Sequence, residues 1–192
     1  MKKKLFVIST NEDLADINGI IKALKQVPTG SKIGVEYAKK DLESMEKYLG
    51  NSKLSDFSRL PPEPQYCFRL IKALKEMGYK IVPIDSFAAR KRIEIRKTDT
   101  RKKRVFKDII MIPIREKHFL KKTIQENPDA VIVGTAHAKV FNSLKNNFEV
   151  VFLRRKPWEF AARHPLLAAR DFFIRKSYQK RKSKSSRKIR PV

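Results

Sequence analysis

The chain has 192 residues, carries a formal net charge of +25 and contains a single cysteine, Cys67. One cysteine forms neither an internal disulfide nor a multi-thiolate zinc site, and no apolar run approaches the roughly 18–20 residues that span a bilayer. Since 41% of the residues are hydrophobic, including 12 Phe, we predict one globular domain plus an appendage in a cytoplasmic protein.

The first half of the chain alternates short apolar runs with stretches of helical periodicity. Residues 5–8 predict a buried strand, and the apolar spacing from Leu14 to Leu24 predicts a helix after it. The pattern repeats with a strand near residues 33–35 and a helix over 39–49. A polar, Pro-rich loop is expected over 51–64, followed by a helix near 65–77 and a strand over 81–84.

The second half begins with a basic stretch and then returns to the same alternation. Pro113 suits the first turn of a helix that runs to about residue 126. A strand over 131–133, a helical stretch to residue 144 and a strand over 150–152 complete the series. A further helix is expected from Pro165, and residues 180–192, rich in Lys, Arg and Ser, are predicted to be disordered unless bound.

Strands that alternate with helices predict an α/β fold with a mainly parallel sheet of about five strands and helices on both faces. We assign this domain to residues 1–153, with a basic insert at 90–107. Residues 154–192 form a basic C-terminal extension, which is helical or disordered.

Positive charge is concentrated in two segments. Residues 154–192 hold 14 Lys and Arg against 2 acidic residues, and residues 90–107 hold 10 against 2. Such local fields recruit polyanions through counterion release. We therefore predict a polyanion as the partner, with RNA, or a ribonucleoprotein such as the ribosome, ahead of DNA and of an anionic membrane; the alternative is a solubilising tail or a generally basic proteome. The candidate RNA contacts are Arg90, Arg92, Arg101, Lys102, Lys103, Arg104, Arg175, Lys176, Lys180, Arg181, Lys182, Arg187, Lys188 and Arg190.

Aromatic side chains lie between the basic residues of the C-terminal extension. Trp158, Phe172 and Phe173 are suited to stacking on unpaired bases while the neighbouring cations meet phosphates. The alternative is that these rings anchor the extension to the domain. The charge of residues 175–190 favours RNA binding in either case.

Polar and charged residues follow the predicted strands. Glu12 comes after the first strand, Glu36 after the second, Asp85 after the third and His137 after the fourth. Because the carboxyl ends of parallel strands face one crevice, we expect these side chains to converge. They then form a divalent-metal or acid–base site. The alternative is that they only cap the helices that follow.

Two segments carry a family resemblance. Arg115-Glu116 opens the predicted helix, and Gly134-Thr135-Ala136-His137 ends the following strand. Together they resemble the Arg-Asp/Glu helix and the GxxH strand end of the TraB/PrgY-like family, which is related to Tiki proteases, ChaN-like haem-uptake proteins and erythromycin esterases. Ile33-Gly34-Val35-Glu36 resembles the family's strand-end glutamate, and residues 78–85 resemble its strand ending in an acidic residue. The resemblance covers roughly residues 5–153.

The resemblance implies roles for individual residues. Glu36 and His137 would be metal ligands or acid–base groups, Arg115 would stabilise negative charge or bind substrate, and Asp85 would orient a partner. Where the family has another GxxH, this chain has Ser9-Thr10-Asn11-Glu12. Glu12 either replaces the histidine as an oxygen ligand, which favours Mn²⁺ or Mg²⁺ over Zn²⁺, or marks a site that has lost its chemistry.

Two functions follow from the sequence. The first is a polyanion-binding protein, with RNA or a ribonucleoprotein as partner, built on a TraB-like domain. The second is a metal-dependent hydrolase that uses the strand-end Glu, Asp and His residues.

Overall fold

The structure is a computed structural model, and it describes residues 2–12, 14–51, 57–86, 100 and 112–154. The basic insert at 90–107 and the C-terminal extension lie outside the described residues, apart from Thr100 and Arg154. All fourteen candidate RNA contacts therefore also lie outside them, and so do the helix expected from Pro165 and the aromatic residues of the extension.

Five parallel strands form one sheet, as the sequence predicted. They are β1 (Lys3–Thr10), β2 (Lys32–Val35), β3 (Lys80–Pro83), β4 (Ala130–Gly134) and β5 (Phe148–Arg154). Their order across the sheet is β3-β2-β4-β1-β5. The first strand is thus paired on both sides, whereas β3 and β5 lie at the edges. Ile84 follows the end of β3 and is completely buried.

Helices connect the strands at the predicted places. They are α1 (Ile17–Leu24), α2 (Lys39–Asn51), α3 (Pro62–Glu76), α4 (Ile112–Glu126) and α5 (Thr135–Ala138). Two short 3-10 helices, Leu14–Asp16 and Lys139–Asn146, complete the connections. The predicted loop over 51–64 was too long, because Pro62 occupies the first turn of α3, where a proline leaves no extra hydrogen bond unmade.

Apolar residues cover both faces of the sheet. Ile8 and Ile132 contribute to a cluster that includes residues of α1, α2 and α3. Val7 and Val133 point to the opposite face and contribute to a second cluster, with Phe119 of α4. Alternate residues of one strand thus enter different clusters, which confirms the prediction of helices on both faces. Within the described ranges, no helix is long and apolar enough to cross a membrane.

Candidate active site

Three neighbouring strands, β3, β2 and β4, end beside one another at the same edge of the sheet because all of them run in one direction. Glu36 directly follows β2, Asp85 follows β3 by two residues, and His137 lies in α5 immediately after β4. Arg115 reaches the same edge from the first turn of α4. The side chains of all four residues are largely buried, so their charges interact where solvent screens them only weakly.

Arg115 joins two carboxylates. Its Nε donates hydrogen bonds of 3.1 Å to both oxygens of Asp85, and its Nη2 lies 2.5 Å from Asp85 Oδ2 and 2.9 Å from Glu36 Oε1. The Asp85 side chain is completely inaccessible to solvent. Its Oδ1 also accepts a hydrogen bond from the backbone N–H of Ser86 at 2.7 Å. Asp85 therefore fixes the guanidinium from one side while Glu36 holds it from the other.

The second oxygen of Glu36 is also engaged. Oε2 accepts a hydrogen bond of 2.6 Å from the backbone N–H of Gly134, at the end of the neighbouring strand. Glu36 thus links the ends of β2 and β4 and presents Oε1 to both Arg115 and His137. Its orientation is set by contacts with three different elements, as is typical of a preorganised polar site.

His137 lies between two glutamates. Its Nδ1 is 3.1 Å from Glu116 Oε1, and its Nε2 is 3.6 Å from Glu36 Oε1. Burial acts to lower the pKa of His137, but the charge of Glu36 and the hydrogen bond to Glu116 outweigh it and leave the pKa raised. The edge of the ring meets Phe119, with centroids 5.3 Å apart. The imidazole is therefore fixed in position and poised to carry a proton.

The guanidinium of Arg115 remains charged in this setting. Burial acts to lower its pKa, but the hydrogen bonds that it donates to Asp85 and the charges of Glu36 and Asp85 raise it above the ordinary value. The guanidinium carbon also lies 5.0 Å from the centroid of the Phe119 ring, which is within the range of a cation–π contact. Nη1 makes no hydrogen bond to any of the described residues.

A small cavity adjoins the cluster on the side of β1. Its volume is about 10 Å³, and its lining includes Glu12, Glu36, Tyr37 and Tyr66. A cavity of this size holds about one water molecule. Burial raises the pKa of both tyrosines, so their hydroxyl groups stay protonated and are hydrogen-bond donors. The cavity is therefore lined by two carboxylates and two protonated phenol groups.

The Thr10 hydroxyl organises the segment that carries Glu12. It accepts a hydrogen bond of 2.9 Å from the backbone N–H of Glu12, is 2.9 Å from the Tyr66 hydroxyl and donates to Asp16 Oδ2 at 3.3 Å. Asp16 is held in turn by Arg154, whose Nη2 lies 2.5 Å from Oδ1. The end of β1 is thus tied to α3 and to the end of β5.

The predicted metal ligands do not fit a metal ion in this arrangement. Among the described residues, no group of three or more His, Cys, Asp or Glu side chains is placed to hold one. The reason is that the oxygen atoms that would bind a metal ion already have other partners. Both oxygens of Glu36 are bonded, to Arg115 and to Gly134, and Asp85 is paired with the guanidinium. The positive charge that these carboxylates require is supplied by Arg115, so we derive no step through Mn²⁺, Mg²⁺ or Zn²⁺.

All five predicted site residues lie at this edge of the sheet. Glu36, Asp85, Arg115 and His137 form the linked cluster, whereas Glu12 is solvent-exposed and borders the cavity. Sequence reasoning missed the role of Glu116, which binds the His137 ring. The sequence did carry a signal, because Glu116 directly follows Arg115 in the helix. Adjacent side chains on a helix point in different directions, so these two residues contact different neighbours.

Comparison with known proteins gave no match among protein-family models, curated proteins or solved structures. The α/β fold and the geometry of the strand-end cluster therefore provide the basis for the functional argument below.

Proposed function

We propose that this protein is a hydrolase whose reaction is carried by His137, Glu36 and Arg115. The observation that supports this most directly is the linked cluster, in which one imidazole lies between Glu116 and Glu36 and one guanidinium joins Glu36 to Asp85. Shifted pKa values in a buried polar cluster at the carboxyl ends of parallel strands are typical of active sites.

Each side chain has a distinct part in this proposal. With Nδ1–H donated to Glu116, the neutral imidazole of His137 presents the lone pair of Nε2, which takes a proton from the attacking water. The imidazolium then returns that proton to the leaving group, so the proton balance closes within one turnover. Arg115 donates from Nη1 to the oxygen that gains negative charge. Asp85 holds the guanidinium in place, and Glu36 favours the imidazolium.

The test is a panel of small esters and amides offered to the purified protein. We expect His137→Asn and Arg115→Lys each to lower kcat/KM by about 100-fold or more, the usual scale for a general acid–base group or an oxyanion donor. His118→Asn is the matched control, since His118 lies in α4 and makes no hydrogen bond to the described residues of the cluster. Dialysis against a chelator should leave the rate unchanged. Equal rates for His137→Asn and the control, or no turnover by the parent protein, would reject the proposal.

A second function is favoured by the charge distribution. We propose that the protein also binds RNA, or a ribonucleoprotein of the cytoplasm, through its two basic segments, on an ancestral TraB-like domain. The support is the excess of 14 Lys and Arg over 2 acidic residues from Arg154 to Val192, and of 10 over 2 from Arg90 to Lys107. Charge of this density binds phosphates largely through counterion release.

Truncation tests the RNA proposal. Removing residues 180–192 deletes seven basic residues and none of the described core. We expect the melting temperature to stay the same while RNA affinity falls and its salt dependence becomes shallower, by about 0.7–0.9 in slope per lost phosphate contact. Fluorescence anisotropy with a labelled single-stranded RNA measures both. An unchanged affinity and slope would show that these residues do not bind RNA.

A further inference from the structure

The opposite edge of the sheet, where the strands begin, carries a row of lysines. Lys3, Lys32 and Lys80 are the first residues of β1, β2 and β3, and Lys32 is the register partner of Lys80. Lys2 donates a hydrogen bond of 2.7 Å to the backbone carbonyl of Lys145, just before β5. We call these five lysines the amino-terminal rim. It extends across all five strands, a width of about 19 Å at about 4.8 Å per strand.

Three of the five lysines also make hydrogen bonds within the fold, Lys2 to Lys145 and Lys3 and Lys32 to the end of α4. Lys3 Nζ and Lys32 Nζ donate to the carbonyls of Asn127 and Glu126, at the carboxyl end of α4. Lysines near a helix end commonly satisfy the last carbonyls in this way. The side chains of Lys2, Lys80 and Lys145 are exposed. They are the members of the rim with the greatest freedom to meet a partner.

Acidic residues only partly offset the charge of the rim. Asp129 lies 2.8 Å from Lys3 Nζ and accepts a hydrogen bond of 2.8 Å from the backbone N–H of Lys32. Burial acts to raise its pKa, but these bonds hold it below the ordinary value. Glu126 lies nearby, and Glu149 is the register partner of Lys4. Counted with Lys4, the six lysines outnumber these three acidic residues, so the described part of this edge is positive.

The two edges of the sheet therefore differ in charge. The carboxyl-terminal edge carries Glu12, Glu36, Asp85 and Glu116 against Arg115 and the titratable His137. Among the described residues, the charges at the strand starts therefore favour a polyanion more than those at the strand ends do.

We propose that the amino-terminal rim is a docking surface for the phosphate backbone of RNA, so that the folded domain itself contacts the polymer. This inference rests on the proposed RNA binding and adds contacts that the two basic segments do not include. RNA held at this edge leaves the strand-end site at the opposite edge open to its own substrate.

The experiment uses the full chain and two triple variants that remove equal charge. The rim variant carries Lys2→Gln, Lys80→Gln and Lys145→Gln, and the control carries Lys40→Gln, Lys47→Gln and Lys121→Gln at exposed positions of α2 and α4. Thermal melting shows whether both variants keep the fold. Affinity for a labelled single-stranded oligouridylate is then measured at several salt concentrations.

We expect the rim variant to bind several-fold more weakly than the control and to have a salt slope shallower by about 2, since each phosphate contact of a single strand contributes about 0.7. Equal affinity and slope for the two variants would overturn the rim while leaving RNA binding through the basic segments intact. Failure of the parent chain to bind RNA would reject the proposed RNA binding itself. Loss of binding to phosphatidylserine vesicles, with RNA affinity unchanged, would assign the rim to membranes and also overturn the inference.

Discussion

Replacing Arg115 with methionine should test the central contact of the cluster. The variant keeps a long apolar stem but leaves Glu36 and Asp85 without the guanidinium that bonds to both. Removing one partner of a buried ion pair costs about 3–5 kcal/mol, because the remaining charge stays buried and unpaired. Loss of the contact with Phe119 adds about 0.5–1 kcal/mol. Since whole domains are stable by about 5–15 kcal/mol, this is a large fraction of the total.

Urea-induced unfolding measures the effect, with Lys75→Met as the control. Lys75 Nζ lies 3.0 Å from Glu46 Oε1, but the two side chains are 45% and 38% exposed, and such pairs contribute at most about 1 kcal/mol. If Arg115→Met is too unstable to purify, Arg115→Met combined with Glu36→Gln and Asp85→Asn should recover much of the loss, since no carboxylate is then left unpaired. A loss below about 1 kcal/mol for Arg115→Met would refute the reasoning.

Three further outcomes are expected. His137→Gln should destabilise the protein more at mildly acidic than at alkaline pH. Burial disfavours protonation of His137 but the Glu36 charge favours it, and the resulting raised pKa gives stability that is complete below about pH 6.5 and is lost as pH rises through the pKa of the folded state. Urea titrations that give the same loss of stability at every pH would contradict this. Thr123→Val should stabilise the fold by about 1 kcal/mol in thermal melts, because the buried hydroxyl lacks a hydrogen-bond partner among the described residues. Gly34→Ala should destabilise the fold by about 1–3 kcal/mol, because a Cβ there would lie 3.0 Å from Ile84 Cγ2. An unchanged urea midpoint would show that the neighbouring side chains shift to make room for the Cβ.

The sequence predicted all five strands because each one carries a continuous or nearly continuous apolar run, as expected where both faces of a sheet are covered. It did not predict the strand order, since apolar periodicity describes the environment of a strand and contains no information about its neighbour. The loop before α3 was overestimated because three prolines were taken as breakers, although Pro62 and Pro64 lie in the first turn of the helix.

The site was predicted as a set of residues, while its contacts were not. Strand-end positions alone placed Glu36, Asp85 and His137 at one edge, because parallel strands end together. Arg115 occupies the space between the two carboxylates because of the way α4 packs, and no local sequence pattern encodes that packing. For the same reason the sequence left a divalent-metal site and an acid–base site open, and it gave no role to Glu116.

The backbone conformation of Glu12 determines which residue types fit at that position. Its φ is +58°, in the left-handed region that disfavours most side chains, and Asn127 is the other described non-glycine residue with a positive φ. Asparagine tolerates this conformation far better than glutamate does. Glu12→Asn should therefore raise the melting temperature. If the carboxylate beside the cavity serves turnover, the same variant should be a slower enzyme, so stability and activity would favour different residues at one position.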